Sequence, residues 1–164
     1  MTTDAPVLHL LCGKAASGKS TLAAQLADAP HTVLLSEDAW LSALFGEQME
    51  TLKDYAHVSA KLRAVMAPHI VELLGAGLCV VLDFPANTKE TRQWMRGIID
   101  TSGAAHELHL LDVADDVCKA RLRARNASGN HAFSVTDEQF DRLAAYFSIP
   151  SEDEGFTIRH HASG

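Results

Sequence analysis

The chain has 164 residues, 47% of them hydrophobic and 21% charged, with 10 Gly and 5 Pro. That length suits one compact domain over residues 1–164, and the near-average composition excludes disordered, collagen-like and coiled-coil chains. Lys plus Arg number 14 against 21 Asp plus Glu, and the resulting charge of −7 argues against duplex nucleic acid or an anionic membrane surface as partner, unless positive charge is concentrated locally.

No apolar run approaches the roughly 18 residues of a membrane span, and the N-terminal residues have no basic leader. Cys12, Cys79 and Cys118 form no CxxC pair and read as buried thiols in a reducing compartment. The expectation is a cytoplasmic protein.

Short apolar runs alternate with longer helical stretches. Val7 to Cys12 reads as a strand buried on both faces, followed by a helix over Thr21 to Asp28. Thr32 to Ser36 is a second strand, and Asp38 to Phe45 a short helix. Between Tyr55 and Leu74, apolar residues recur at helical spacing, with a kink expected at Pro68. Leu78 to Asp83 is a third strand, then Thr88 to Thr101 a helix, His106 to Asp112 a strand and Ala114 to Arg125 a helix. Asn126 to Val135 reads as a loop. Thr136 and Gln139 have capping-box spacing ahead of a helix through Phe147, and Phe156 to His160 is a last strand. Such alternation predicts a three-layer α/β/α fold around a parallel sheet of about five strands.

The most informative stretch is Gly13-Lys14-Ala15-Ala16-Ser17-Gly18-Lys19-Ser20, followed by Thr21. It satisfies G-x-x-x-x-G-K-[ST] and lies where a strand ends and a helix begins, the context a phosphate-binding P-loop requires. Glycines allow close backbone approach, and successive N–H groups then converge on phosphate oxygens at the positive end of the helix. Lys19 is placed to reach the β- and γ-phosphates, and the Ser20 hydroxyl to ligate Mg²⁺. ATP and Mg²⁺ are the expected cofactors. A second Mg²⁺ ligand is Asp83, the carboxylate ending the apolar run Val80-Val81-Leu82; the alternative is a bond to the neighbouring loop.

The P-loop and its flanking elements resemble the small P-loop kinases related to polynucleotide kinase, zeta toxins and chloramphenicol phosphotransferase, above all the short bacterial AAA-type P-loop domains. The resemblance implies a general base at Asp38, in Ser36-Glu37-Asp38, with Glu37 in reserve. The alternative is that Asp38 caps the following helix. Polynucleotide kinases carry an Arg three residues further on, where this chain has Leu41. The resemblance also implies that Asn87 and Arg92 face the acceptor, an ordinary solvated helix charge being the alternative for Arg92, and that Arg121 and Arg125 act with a short lid at residues 126–135, which includes His131, over the γ-phosphate. A basic face balancing Asp112, Asp115 and Asp116 is the alternative for those arginines.

Trp40 and Trp94 are placed to border an acceptor pocket, with core packing the alternative for Trp94. The pairs His106/His109 and His160/His161 lack the spacing of a zinc motif, so no metal besides Mg²⁺ is expected. The resulting expectation is an ATP- and Mg²⁺-dependent phosphotransferase acting on a hydroxyl of a small-molecule acceptor. Its rivals are an ATP-binding switch that transfers nothing and a nucleic-acid 5′-hydroxyl kinase.

Overall fold

The computed structural model describes residues 5–128 and 135–161, so most of the expected lid, including His131, lies outside the described residues. The strands are β1 (Val7–Cys12), β2 (Thr32–Ser36), β3 (Cys79–Pro85), β4 (Ala105–Leu111) and β5 (Ile158–His161). The helices are α1 (Lys19–Ala27), α2 (Glu37–Phe45), α3 (Leu52–Gly75), α4 (Lys89–Ser102), α5 (Asp115–Ser128) and α6 (Asp137–Ala145). The five strands form one parallel sheet in the order β2-β3-β1-β4-β5. Chain order reverses between β3 and β4 on the two sides of β1, which makes the carboxyl end of β1 the switch point where open α/β sheets bind ligands.

The two sheet faces differ. Leu8, Leu10 and Cys12 of β1, Val80, Leu82 and Phe84 of β3, and Leu108 and Leu110 of β4 bury one face under Leu62, Met66 and Ile70 of α3 and Met95 and Ile98 of α4. On the other face, Leu11 and Val81 pack against Ala23 of α1. Beyond α1 that second face becomes polar, with His9 on β1 and Glu107 and His109 on β4. The expected burial of β1 on both faces therefore holds toward its carboxyl end, at Leu11, and gives way to a half-buried polar face at His9.

Caps fix the helix starts. Ser36 Oγ accepts from Ala39 N at 3.3 Å, so Ser36 caps α2 and Asp38 stands inside its first turn. The expected cap of the loop after α5 is present: Thr136 and Gln139 bond each other's backbone N–H groups. Thr51 and Asp54 do the same for α3, which begins before the expected Tyr55 and runs to Gly75 as one helix containing Pro68. β5 begins at Ile158 rather than Phe156. No helix among the described residues is long and apolar enough to cross a membrane.

Cys12 and Cys118 are fully buried, and Cys79 is half-buried. Burial pushes the Cys12 thiol up to about 11, so at pH 8 its nucleophilic thiolate is scarce. Alkylation of the native protein at pH 8, mapped by peptide mass spectrometry, should label Cys79 first and leave Cys12 and Cys118 protected until denaturant is added.

Candidate active site

The P-loop leaves β1 at Cys12 and enters α1 at Lys19. Gly13 is buried, and a Cβ there would stand 2.4 Å from Ser17 Oγ. Gly18 has φ +103°, a left-handed conformation that a side chain disfavours. Ala16 also lies at positive φ, 62°, so the loop alternates its handedness in the manner of an anion-binding nest. Ser17 N donates to Lys14 O at 3.1 Å and closes the turn. Ala15 and Ala16 pack against the small core of Val113, Cys118, Leu122 and Phe140, which joins the loop to α5 and α6. Thr21 is exposed in the first turn of α1.

Asn87 holds this loop from outside. Its Oδ1 accepts from Gly13 N at 2.9 Å, and its Nδ2 donates to Gly13 O at 2.7 Å. Lys19 Nζ donates to the carbonyls of Gly13 and Lys14, the latter at 2.9 Å. Lys14 turns outward to Asp115 at 2.7 Å and lies 5.3 Å from the centre of the Phe147 ring.

Three carboxylates stand at the carboxyl edge of the sheet, where β2 and β3 end. Strand register pairs Ser36 of β2 with Asp83 of β3, so α2 starts beside Asp83. Ser20 Oγ donates to Asp83 Oδ2 at 3.1 Å. Burial raises the Asp83 pKa, opposed by the Ser20 hydrogen bond and the Lys19 charge. Burial likewise lowers that of Lys19, while the charges of Asp83 and Asp38 raise it. Asp38 is exposed and acts electrostatically on both. The third carboxylate, Glu37, points inward: it is 4% exposed and accepts from Tyr55 Oη and, at 2.9 Å, from Ser59 Oγ. Burial raises its pKa, and these two bonds tie α2 to α3.

The basic residues of α5 divide between two faces. Lys119 and Arg123 pair with Asp141 and Asp137 of α6, rather than with Asp112, Asp115 or Asp116. Arg121 reaches the other way and donates to Ala16 O of the P-loop at 3.2 Å. Arg125 is half-buried one turn further along.

Two expectations about the acceptor side differ from the structure. Arg92 is 1% exposed, and its guanidinium donates to Glu154 Oε1 at 2.7 Å, Ala86 O at 3.0 Å, Ser148 O at 2.8 Å and Ser148 Oγ at 2.8 Å. Burial without water requires such complete pairing, and it commits Arg92 to holding the segment after α6 against β3 instead of facing an acceptor. The amide of Asn87 is likewise engaged with Gly13. Trp94 stacks on Phe84 at 5.6 Å and donates to Arg63 O, which is core packing, whereas Trp40 is 39% exposed.

Sequence reasoning missed Arg63. It lies on α3, donates to Thr91 Oγ1 at 3.0 Å and acts electrostatically on Glu37 and Tyr55. With Ala60, Ala64, Glu90 and Trp94 it lines a groove of about 350 Å³ between α3 and α4. Its position in the helical run gave no signal, because only the packing of α3 against α4 brings it there.

The profile of the AAA domain family matches residues 8–150. The chain belongs to that family. Among solved structures, this AAA domain is similar to a provisionally named kinase from Chloroflexus aurantiacus, with 18% identity over 98% of this chain and 87% of that one and a TM-score of 0.77. Kti12 of Chaetomium thermophilum, solved with ADP-AlF3, superposes with a TM-score of 0.72 at 14% identity, over 96% of this chain and 89% of that one. The Mycobacterium tuberculosis APS kinase CysC, solved with AMPPNP and APS, gives 0.63 at 18% identity, over 96% and 88%. At such identities the likeness shows the shared P-loop fold. None of the curated proteins compared matches the chain.

The Arg92 clamp has a measurable consequence. Arg92→Ala leaves the Glu154 carboxylate, 10% exposed, without its partner, and should cost about 3–5 kcal/mol in urea unfolding. Removing both partners with Arg92→Ala and Glu154→Ala together should cost less than the sum of the single changes.

Proposed function

We propose that this AAA domain is an ATP- and Mg²⁺-dependent phosphotransferase that moves the γ-phosphoryl group of ATP to a hydroxyl of a small-molecule acceptor. The observation that carries the reading is the convergence at one sheet edge of the P-loop lysine, the Ser20–Asp83 pair at 3.1 Å and the exposed carboxylate of Asp38.

Backbone N–H groups of the loop other than those of Gly13 and Ser17, which bond Asn87 and Lys14, bind the phosphates, and Lys19 turns from its loop carbonyls to the β/γ oxygens. Ser20 and Asp83 offer the hard oxygen donors that suit Mg²⁺, and their spacing fits two ligands of one ion. Bound there, Mg²⁺ supplies neutralisation of the β/γ-phosphate charge. Asp38 orients the acceptor hydroxyl and takes its proton as the hydroxyl oxygen bonds to the γ-phosphorus. The bond from that phosphorus to the β,γ-bridging oxygen breaks, and ADP leaves. Arg121, already in contact with the P-loop, and Arg125 stabilise charge on the transferring group.

Arg63, which acts electrostatically on Glu37, and Trp40, exposed two residues after Asp38 on α2, are the acceptor-side contacts this reading favours; Asn87 and Arg92 support the loop from behind. An acidic surface with Leu41 buried in the core suits a small molecule better than a nucleic-acid end.

Asp38→Asn should lower phosphoryl transfer about 10²–10⁴-fold with ATP affinity unchanged. Glu37→Gln, which keeps an oxygen acceptor for Tyr55 or Ser59, should stay within a few-fold of wild type. Steady-state turnover with parallel ATP-binding calorimetry decides it. Full activity in the Asp38 variant would assign the base elsewhere or favour a non-transferring ATP-binding protein.

A further inference from the structure

Among the described residues, one group of three metal-ligating side chains gathers its donor atoms within 4.8 Å of one another: His9, Glu107 and His109. We propose that these three residues form a zinc site, distinct from the Ser20–Asp83 pair, on the sheet face opposite α3 and α4.

Strand register builds the group. His9 of β1 pairs with Glu107 of β4, and Leu11 pairs with His109, so alternation puts all three side chains on one face. His9 Nδ1 lies 3.0 Å from His109 Nε2, and each of these nitrogens lies 3.6 Å from Glu107 Oε2. A tetrahedral ion with ligand bonds of about 2.0–2.2 Å sets its donors roughly 3.3–3.5 Å apart. The observed triangle needs shifts of only a few tenths of an ångström to meet that spacing. Two imidazole nitrogens and one carboxylate oxygen are a borderline donor set that selects Zn²⁺ over the all-oxygen preference of Mg²⁺ or Ca²⁺. Three protein ligands leave a fourth position for water.

The surroundings orient these donors as metal ligands are oriented. His109 is 3% exposed, and its other nitrogen, Nδ1, lies 2.7 Å from His161 Nε2 on β5. The second oxygen of Glu107, Oε1, accepts from Arg159 at 2.8 Å. A ligating imidazole directs its remaining N–H to a fixed partner, and a ligating carboxylate is held through its free oxygen. His161 and Arg159 supply both functions as positioning residues. Zinc there would tie β1 to β4 four residues ahead of Gly13, on the strand that carries the P-loop. The competing description is a relay of neutral imidazoles passing an N–H from His9 through His109 to His161.

Chelator-treated full-length protein titrated with Co²⁺ in excess Mg²⁺ separates the two. The site predicts tetrahedral visible d–d bands that saturate at one equivalent and are displaced by Zn²⁺. Zn²⁺ at about a hundredfold above its Kd should also raise Tm by roughly 5–10 °C. His9→Gln and Glu107→Gln, at the two more accessible ligands, should each lose the bands while keeping the far-UV circular dichroism of the wild type. His161→Ala should weaken Zn²⁺ binding about 10–100-fold. His160→Gln, on the opposite face of β5, should change nothing. Absence of a saturable tetrahedral spectrum in the wild type overturns the proposal and leaves the relay. Wild-type affinity in either ligand variant overturns it too, by placing the ion elsewhere.

Discussion

The site depends on how the amide of Asn87 grips Gly13, donating to its carbonyl and accepting from its N–H. A P-loop must turn its amides toward a ligand, so its own backbone offers little internal bonding to hold the turn. The two bonds from Asn87 fix the first residue of the loop to the end of β3. Asn87 is in turn backed by the segment after α6, where Ser148 N donates to Asn87 O at 2.8 Å. Arg92 holds that segment by bonding both the carbonyl and the hydroxyl of Ser148, and its buried charge is matched by Glu154. A line of hydrogen bonds thus runs from the P-loop through the residues after β3 to α4 and the turn at Glu152–Glu154 that precedes β5.

That frame explains the division of labour among the carboxylates. Parallel strands deliver their carboxyl ends to one edge, and the pairing of Ser36 with Asp83 brings the start of α2 against the end of β3. Neighbouring residues then take opposite roles. Glu37 points into the protein and is held by Tyr55 and Ser59, which fixes the angle between α2 and α3. Asp38 points out, beside the P-loop lysine. In the proposed reaction the inward carboxylate positions the helix and the outward one handles the proton.

Much of the fold was legible in the sequence because its signals are local. The run Val7 to Cys12, the P-loop spacing and the Thr136–Gln139 box each concern a few adjacent residues, and each stands where it was expected. The Thr51–Asp54 box was equally local, but its aspartate departs from the commoner Glu or Gln. What sequence could not deliver depends on register and on distant partners. Arg92 reads as an ordinary helix charge until Ser148 and Glu154, 56 and 62 residues away in sequence, close around it. His9, Glu107 and His109 belong to no spacing motif, because their neighbours lie across strands rather than along the chain. Arg63 becomes part of a groove only when α3 packs on α4.

The central claim is that this sheet edge transfers phosphate to an alcohol rather than only binding or hydrolysing ATP. The most direct measurement is ³¹P NMR of ATP turnover with a panel of polyols, sugars and nucleosides. A new phosphomonoester resonance matched by ADP formation, absent from Lys19→Ala protein of native fold, is the predicted result. Inorganic phosphate as the sole product across the panel, or turnover that persists without Lys19, would contradict the account.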